Sequence, residues 1–363
     1  MTYLDANATE PLRDEARAAA IAAMAVTGNP ASVHGAGRAA RRLMEGAREA
    51  LAAQFGGRAA DLVFTSGGTE ADALAVHGLG TGRRVVIGAT EHDAIRAAAP
   101  GADILPVDGD GAAELDALET LVARGQALVC LMHANNETGV IHPIAEAAAI
   151  CRRHGAWLHV DAVQTAGRIG ATLDGLGAHS MALSAHKMGG LGGVGALLMA
   201  PEAAAALRPL ILGGGQERGR RGGTPPIAAI AAFAAAAGAC RAEDPARLAA
   251  LRDAAEKAAQ AAGAIAIAAD APRLPNTTSL ALPGVRAETQ VIALDLAGIA
   301  VSAGAACSSG KVSRSHVLAA MGLGPLAESA IRVSLPWNAT AADIASFIAA
   351  YRDIAARLLR SAA

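Results

Sequence analysis

The chain has 363 residues, 53% of them hydrophobic, 18% charged and 2% aromatic, with a formal net charge of −2. That length suits two domains, or one large plus one small, with ample core, and the near-neutral charge gives no argument for nucleic-acid binding. No apolar run has the length and character of a membrane span: Ala228–Ala237 is too short and too alanine-rich, and Met1-Thr2-Tyr3-Leu4-Asp5 does not read as a signal peptide, so a soluble, cytoplasmic protein is expected.

In chain order, the N-terminal segment is expected to pack with the C-terminal part or across the site. Leu62–Thr65 reads as a strand, followed by a glycine turn and a helix over Glu70–His77. Arg84–Gly88 reads as a strand and Glu91–Ala98 as a helix; Ala127–His133, Trp157–Asp161, Met181–Ser184 and Val194–Met199 read as further strands. This alternation predicts an α/β fold with a mostly parallel sheet between helices, whose ligands bind beyond the carboxyl ends of the strands. The alanine-rich stretches Ala203–Ala206 and Ala231–Ala237 read as tightly packed helices. The charged region Arg241–Lys257 leads into a smaller α/β unit containing Thr278–Leu282, Thr289–Leu296 and Ile331–Leu335. The expected division is a large domain over 14–244 and a small domain made of 1–13 and 245–363.

The residues that carry chemistry follow the predicted strand ends. Lys187 lies in Ser184-Ala185-His186-Lys187-Met188-Gly189-Gly190, downstream of Asp161 in His159-Val160-Asp161-Ala162-Val163-Gln164. A lysine in a phosphate-friendly loop and a strand-end carboxylate are what pyridoxal 5′-phosphate (PLP) requires: the amine forms a Schiff base, and the carboxylate keeps the pyridine nitrogen protonated. A surface lysine and a capping aspartate are the plain alternatives. Thr65-Ser66-Gly67-Gly68-Thr69-Glu70 is either a phosphate cradle at a helix N-terminus or an ordinary turn with Thr69 as the cap. Ser184 and His186 are further phosphate donors, and His92 supplies a flat ring in a chain poor in aromatics. Gln164 suits the phenolate oxygen of the cofactor. Arg332, flanked by β-branched residues, is either a carboxylate clamp or an edge-strand surface group. Asn135-Asn136-Glu137-Thr138-Gly139 is a polar turn. The glycine-rich stretch before Thr224 suits a loop that reaches a partner subunit. The four cysteines, at 130, 151, 240 and 307, form no Cys-x-x-Cys pair, so no metal site and no disulfide framework is indicated. Cys130, Cys151 and Cys240 read as buried fillers. Cys307, in Ala303-Gly304-Ala305-Ala306-Cys307-Ser308-Ser309-Gly310, reads as a thiol in use.

As an ordered set, these segments resemble cysteine desulfurases of the nitrogen-fixation and iron–sulfur-cluster type, within the class V aminotransferase-like PLP enzymes of fold type I. The similarity also takes in Tyr3-Leu4-Asp5, Gly28-Asn29-Pro30, Leu274-Pro275-Asn276-Thr277 and Ala330–Ser334. The resemblance implies PLP on Lys187, His92 stacked on its ring, Asp161 at its nitrogen, Gln164 at its phenolate and Asn136 near cofactor and substrate. It implies Gly68, Thr69, Ser184 and His186 at the phosphate, with Thr224 supplied across a homodimer. It implies Arg332 on the carboxylate of L-cysteine, and Cys307 as the nucleophile that takes the sulfur and hands it to an acceptor or scaffold protein. Cys307 would also make any transient iron–sulfur or persulfide contact. Leu191-Gly192, Leu335-Pro336-Trp337 and Asp5-Ala6-Asn7 depart from the usual pattern without removing a named group. A selenocysteine lyase or small-amino-acid aminotransferase of the same fold is the rival reading, and a non-catalytic sulfur-transfer partner is the rival from another class.

Overall fold

The computed structural model describes residues 1–242, 244–304 and 314–362. Cys307 lies outside the described residues.

The principal sheet has seven strands in the spatial order Leu62–Thr65, Gly195–Met199, Ser180–Ser184, Trp157–Asp161, Ala127–Met132, Arg84–Gly88 and Asp103–Leu105. Gly195–Met199 runs antiparallel to both of its neighbours, and all other pairs are parallel. The central strand Ala127–Met132 is an unbroken apolar run because both of its faces are covered. In Ala127–Met132, Val129 and Leu131 join one apolar cluster with Phe64, Leu158, Met181 and Phe233, while Leu128 and Cys130 join another with Leu74, Ile87 and Leu197. The period of two thus divides the strand between two helical layers. The helix Ile227–Ala239, alanine-rich as the sequence suggests, packs against the helices Asp14–Met24 and Gly35–Gln54 on the first face, and Gly68–Leu79 covers the second. Each expected strand of the central region is present within a residue of its expected ends. The helix expected at Glu91–Ala98 starts at Asp93, with His92 as its cap.

A second, antiparallel sheet has the order Ser302–Ala303, Ala330–Ser334, Thr277–Ala281 and Ile265–Ala266. The N-terminal strand Thr2–Tyr3 pairs in parallel with Ile299–Ala300. Leu4 is buried in a cluster with Leu248, Leu294, Ile331 and Phe347, so the start of the chain shares a core with its last third. Asp5 and Asn7 are carried from there to the carboxyl ends of the parallel strands.

Candidate active site

At those strand ends lies a cavity of about 420 Å3, lined by Asp5, Asn7, Gly68, Thr69, Asp72, His92, Asn136, Asp161, Gln164, Ser184, His186, Lys187, Ser302 and Arg332, among others. Of the residues expected from the sequence, only Thr224 and Cys307 are absent from its walls. Thr224 is exposed, and Cys307 is not described.

One end is built for an anion. The helix Gly68–Leu79 opens into the cavity with no side chain capping its first turn, so its leading amides are available to a ligand. Ser184 ends its strand 2% exposed, and its Oγ has no hydrogen-bond partner among the described residues. A buried hydroxyl without a partner is costly, which fits a ligand oxygen arriving there. A Cβ on Gly68 would lie 2.8 Å from Val163 Cγ2 and 3.5 Å from Ser184 Cβ, so glycine lets the helix start sit against these strands. Glu70 is fixed outside this cradle by a bidentate pair with Arg221, at 2.8 and 3.0 Å, and by the Ser66 amide at 2.7 Å.

The same cavity also carries acid and base. Asp161 accepts from the Val163 amide at 2.8 Å through Oδ1. Burial pushes its carboxyl up, opposed by that bond and by the charges of His92 and Lys187. A buried carboxylate in this position fits a protonated heterocyclic nitrogen, which would restore its charge. Behind it, His159 bridges Asp72 Oδ1 at 3.2 Å and Ser180 Oγ at 2.9 Å. Burial holds His159 down to about 3 and keeps it neutral, and burial also pushes the Asp72 carboxyl up. His92 Nδ1 accepts from the Ala94 amide at 3.1 Å, which fixes the ring at its helix start. Lys187 Nζ donates to the Asn7 carbonyl. His186 Nδ1 meets Thr9 Oγ1 at 3.1 Å, and burial holds its imidazole down to about 4.

Gln164 is fixed by its neighbours. Arg168 donates to Gln164 Oε1, so the amide nitrogen faces the cavity side and gives one of its two N–H groups to Asn7 O at 3.0 Å. Arg332 is 2% exposed in a central strand of the small sheet, so it is not an edge-strand surface group. It donates to Asp5 Oδ1 at 2.7 Å and to Asn136 O at 3.0 Å, and its buried Nε has no partner among the described residues.

Asn7, Asp5, Asp72 and Ser302 were not singled out by the sequence. Asn7 is the hub: its Nδ2 donates to Asn136 O at 3.1 Å and Thr277 Oγ1 at 3.0 Å, and its carbonyl receives both Gln164 and Lys187. Asp5 enters the sequence reading only through the resemblance at Tyr3-Leu4-Asp5, and Asn7 only in a segment that departs from the usual pattern. Asp72 had no local signal, since its partner His159 lies on a strand far along the chain.

The family model for aminotransferase class V matches residues 2–347. The chain belongs to that family. A cysteine desulfurase from Cereibacter sphaeroides is 39% identical over 94% of this chain and 92% of its own length. An IscS-like cysteine desulfurase from Mycobacterium tuberculosis is 36% identical over 100% of this chain and 98% of its own. The crystal structure of a NifS-like protein from Rickettsia africae superposes with a TM-score of 0.90 at 34% identity, covering 98% of this chain and 99% of that one. The family implies PLP, and the uncapped helix start, the partnerless Ser184 hydroxyl, the buried Asp161 and the amine of Lys187 fit it.

Proposed function

We propose that this chain is a PLP-dependent cysteine desulfurase that releases L-alanine from L-cysteine and places the sulfur on Cys307, from which an acceptor protein takes it. The observation that carries the reading is the convergence of Lys187, Asp161, His92, Ser184 and Arg332 on one cavity, in a chain whose full-length relatives are named cysteine desulfurases.

When bound, PLP supplies an electron sink for the pair left on the substrate α-carbon. The first amides of the helix Gly68–Leu79, with Thr69, Ser184 and His186, hold its phosphate. Asp161 would hold the ring nitrogen in its charged form, Gln164 and Asn136 would contact the ring substituents, and His92 would supply a flat surface for the ring. Lys187 anchors the cofactor and moves the proton at the α-carbon. Arg332 orients the substrate carboxylate with the N–H groups that Asp5 and Asn136 leave unused. The Cys307 thiolate attacks the substrate sulfur: an S–S bond forms as the Cβ–S bond breaks, the carbon retains that electron pair, and protonation of the carbon releases alanine.

We also read the chain as acting in a homodimer. Thr224 is exposed and off the cavity, and its loop follows the exposed apolar residues Leu210, Ile211 and Leu212. Glu217 and Arg218 hold left-handed backbone there, at φ 48° and 58°. Glu217 is locked by a bidentate pair with Arg48, both bonds 2.7 Å. A fixed, exposed loop suits delivery of Thr224 to a neighbouring subunit's phosphate site.

The test is alanine and sulfide production from L-cysteine by the wild type and by Cys307→Ser. Equal yields of both products in the wild type, lost in the variant, support the reading. Keto-acid formation instead of sulfide marks an aminotransferase, and turnover confined to selenocysteine marks a lyase.

A further inference from the structure

Gly304 and Ser315 stand on either side of Cys307 in the sequence, and the fold brings both against one carboxylate. Glu137 follows the cavity-lining Asn136 and is 3% exposed. Its Oε2 accepts from Ser315 Oγ at 2.6 Å. Ser315 Oγ in turn accepts from the Leu318 amide at 3.1 Å, capping the helix His316–Ala320. From the other side, Gly304 approaches the same oxygen so closely that an added Cβ would lie 2.5 Å from Glu137 Oε2 and 3.7 Å from Ser315 Cβ. The backbone of Gly304 is not left-handed, so the close approach, not the backbone conformation, requires glycine here.

The backbone that carries this carboxylate is itself held. The Glu137 amide donates to Asn135 Oδ1 at 2.8 Å, and Asn135 Nδ2 donates to Thr90 O at 3.1 Å, two residues before His92. Arg332 donates to the Asn136 carbonyl. His316 Nε2 lies 3.0 Å from the Glu91 carbonyl, which ties the helix start to the same wall.

We propose that Glu137 is a positioning residue for the sulfur-accepting step. By bonding Ser315 and packing against Gly304, it sets the spacing of the two described residues that flank Cys307 in the sequence and refers them to the wall that carries Asn136, Arg332 and His92. The inference rests on the reading of Cys307 as the sulfur acceptor. Its physical basis is that bond formation needs the reacting atoms near 3–3.5 Å, and a displacement of about 1 Å can slow a step about a hundredfold. A stem that spreads multiplies the positions available to the residues between its ends. If Glu137 only filled the Asn135–Gly139 turn, its loss would lower stability or cofactor retention and leave the sulfur step alone.

The experiment is a single turnover of L-cysteine by the PLP-loaded full chain without reductant, following sulfur mass on Cys307 against time, with the visible absorbance of bound cofactor and the KM for cysteine recorded alongside. Glu137→Ala, Ser315→Ala and Gly304→Ala are each expected to slow persulfide formation by about tenfold or more, with cofactor absorbance and KM within about twofold of wild type. Glu137→Gln keeps an acceptor for Ser315 and is expected within about threefold of wild type. Glu137→Ala removes the oxygen that Gly304→Ala strikes, so the double variant is expected to be no slower than Glu137→Ala alone. Wild-type persulfide rates in the alanine variants overturn the inference, as do losses that merely track cofactor or KM, or additive effects in the double variant. If Glu137→Ala does not fold, Ser315→Ala and Gly304→Ala decide the matter by the same readings. A wild type that places no sulfur on Cys307 overturns the functional reading itself, a result distinct from variants that behave as wild type.

Discussion

Arg332 donates to Asp5 Oδ1 at 2.7 Å, joining a strand near the end of the chain to residues at its start. Asp5 also accepts from Ser302 Oγ at 2.9 Å, so the carboxylate that pairs with Arg332 is itself fixed by a segment far from it in sequence. Pairing with Asp5 and the Asn136 carbonyl occupies part of its donor fork. The buried Nε, which lacks a partner among the described residues, is a desolvated donor that a substrate carboxylate would satisfy.

The substrate clamp is therefore testable through binding. Lysine keeps the charge but presents a compact ammonium in place of the planar fork. A hydrogen bond to a charged group is worth about 1.5–3 kcal/mol, so Arg332→Lys is expected to raise the KM for cysteine about ten- to a hundredfold. The kcat should change far less, because the contact serves bound substrate and transition state alike. Steady-state kinetics at saturating cofactor checks this, and a fall in kcat with unchanged KM contradicts it.

At the phosphate cradle, Val163 fills the space that a methyl on residue 68 would need. Gly68→Ala is expected to push the helix start away from Ser184 and weaken PLP binding. Val163→Ala in the same chain removes the clashing Cγ2 and should recover most of the loss. Ser184→Ala, which deletes a buried donor aimed at the ligand, should weaken binding about tenfold in either background. Titration of the apoprotein with PLP, followed by absorbance, measures all three, and independence of the two substitutions at 68 and 163 contradicts the packing argument.

The legible part of this molecule was whatever local sequence encodes. The strands Leu62–Thr65, Arg84–Gly88 and Trp157–Asp161 are legible to the residue, because short apolar runs between glycines and polar turns have few other conformations. Lys187 and Asp161 are legible because the chemistry demands both types at strand ends. Asn7 and Asp72 are not, because each acts through partners more than eighty residues away: Asn7 with Asn136, Gln164 and Thr277, and Asp72 with His159. The antiparallel direction of Gly195–Met199 is equally hidden, since periodicity within a strand does not report its direction. Arg332 carries two readings in the sequence, and only its place inside the four-stranded sheet separates them.

The thiols should respond very unequally. Burial pushes the Cys151 thiol up to about 12, and burial together with the charges of Glu91 and Asp72 pushes Cys130 well up. Cys240 is 7% exposed beneath Met188. Since the thiolate is the nucleophile, Cys130 and Cys151 are poor competitors for sulfur in the folded protein, and burial shuts Cys240 away from substrate. Treatment with cysteine and no reductant is expected to add sulfur mass at Cys307 alone, and Cys307→Ser should bind cysteine yet release almost no sulfide. Peptide mass mapping that finds the added sulfur at Cys130, Cys151 or Cys240 would falsify this assignment.

The acid limb of stability should reflect buried imidazoles. His142, 2% exposed, accepts from the Ala113 amide at 3.2 Å through Nδ1 and meets Thr90 Oγ1 at 3.3 Å through Nε2, an arrangement that needs the neutral ring. Burial first, then the neighbouring His133, holds it down to about 4, with Asp108 pulling the other way. Its unfolded value is near 6.5, so the stability it contributes is fully present above pH 6.5 and is lost as pH falls towards 4. The buried carboxyls of Asp72, Glu91, Glu137 and Asp161 are held above their ordinary range, so what they contribute is present at low pH and lost as pH rises. The wild-type curve is therefore a difference of opposing contributions, and one residue is isolated by comparison with His142→Asn, whose Oδ1 keeps an acceptor for Ala113 and does not titrate. Each tenfold difference in proton affinity between folded and unfolded chain is worth about 1.4 kcal/mol, so urea unfolding between pH 6.5 and 4 should show the stability gap between wild type and variant narrowing by up to about 3 kcal/mol as the pH falls. A gap that stays constant across that window means that His142 is not the group that titrates.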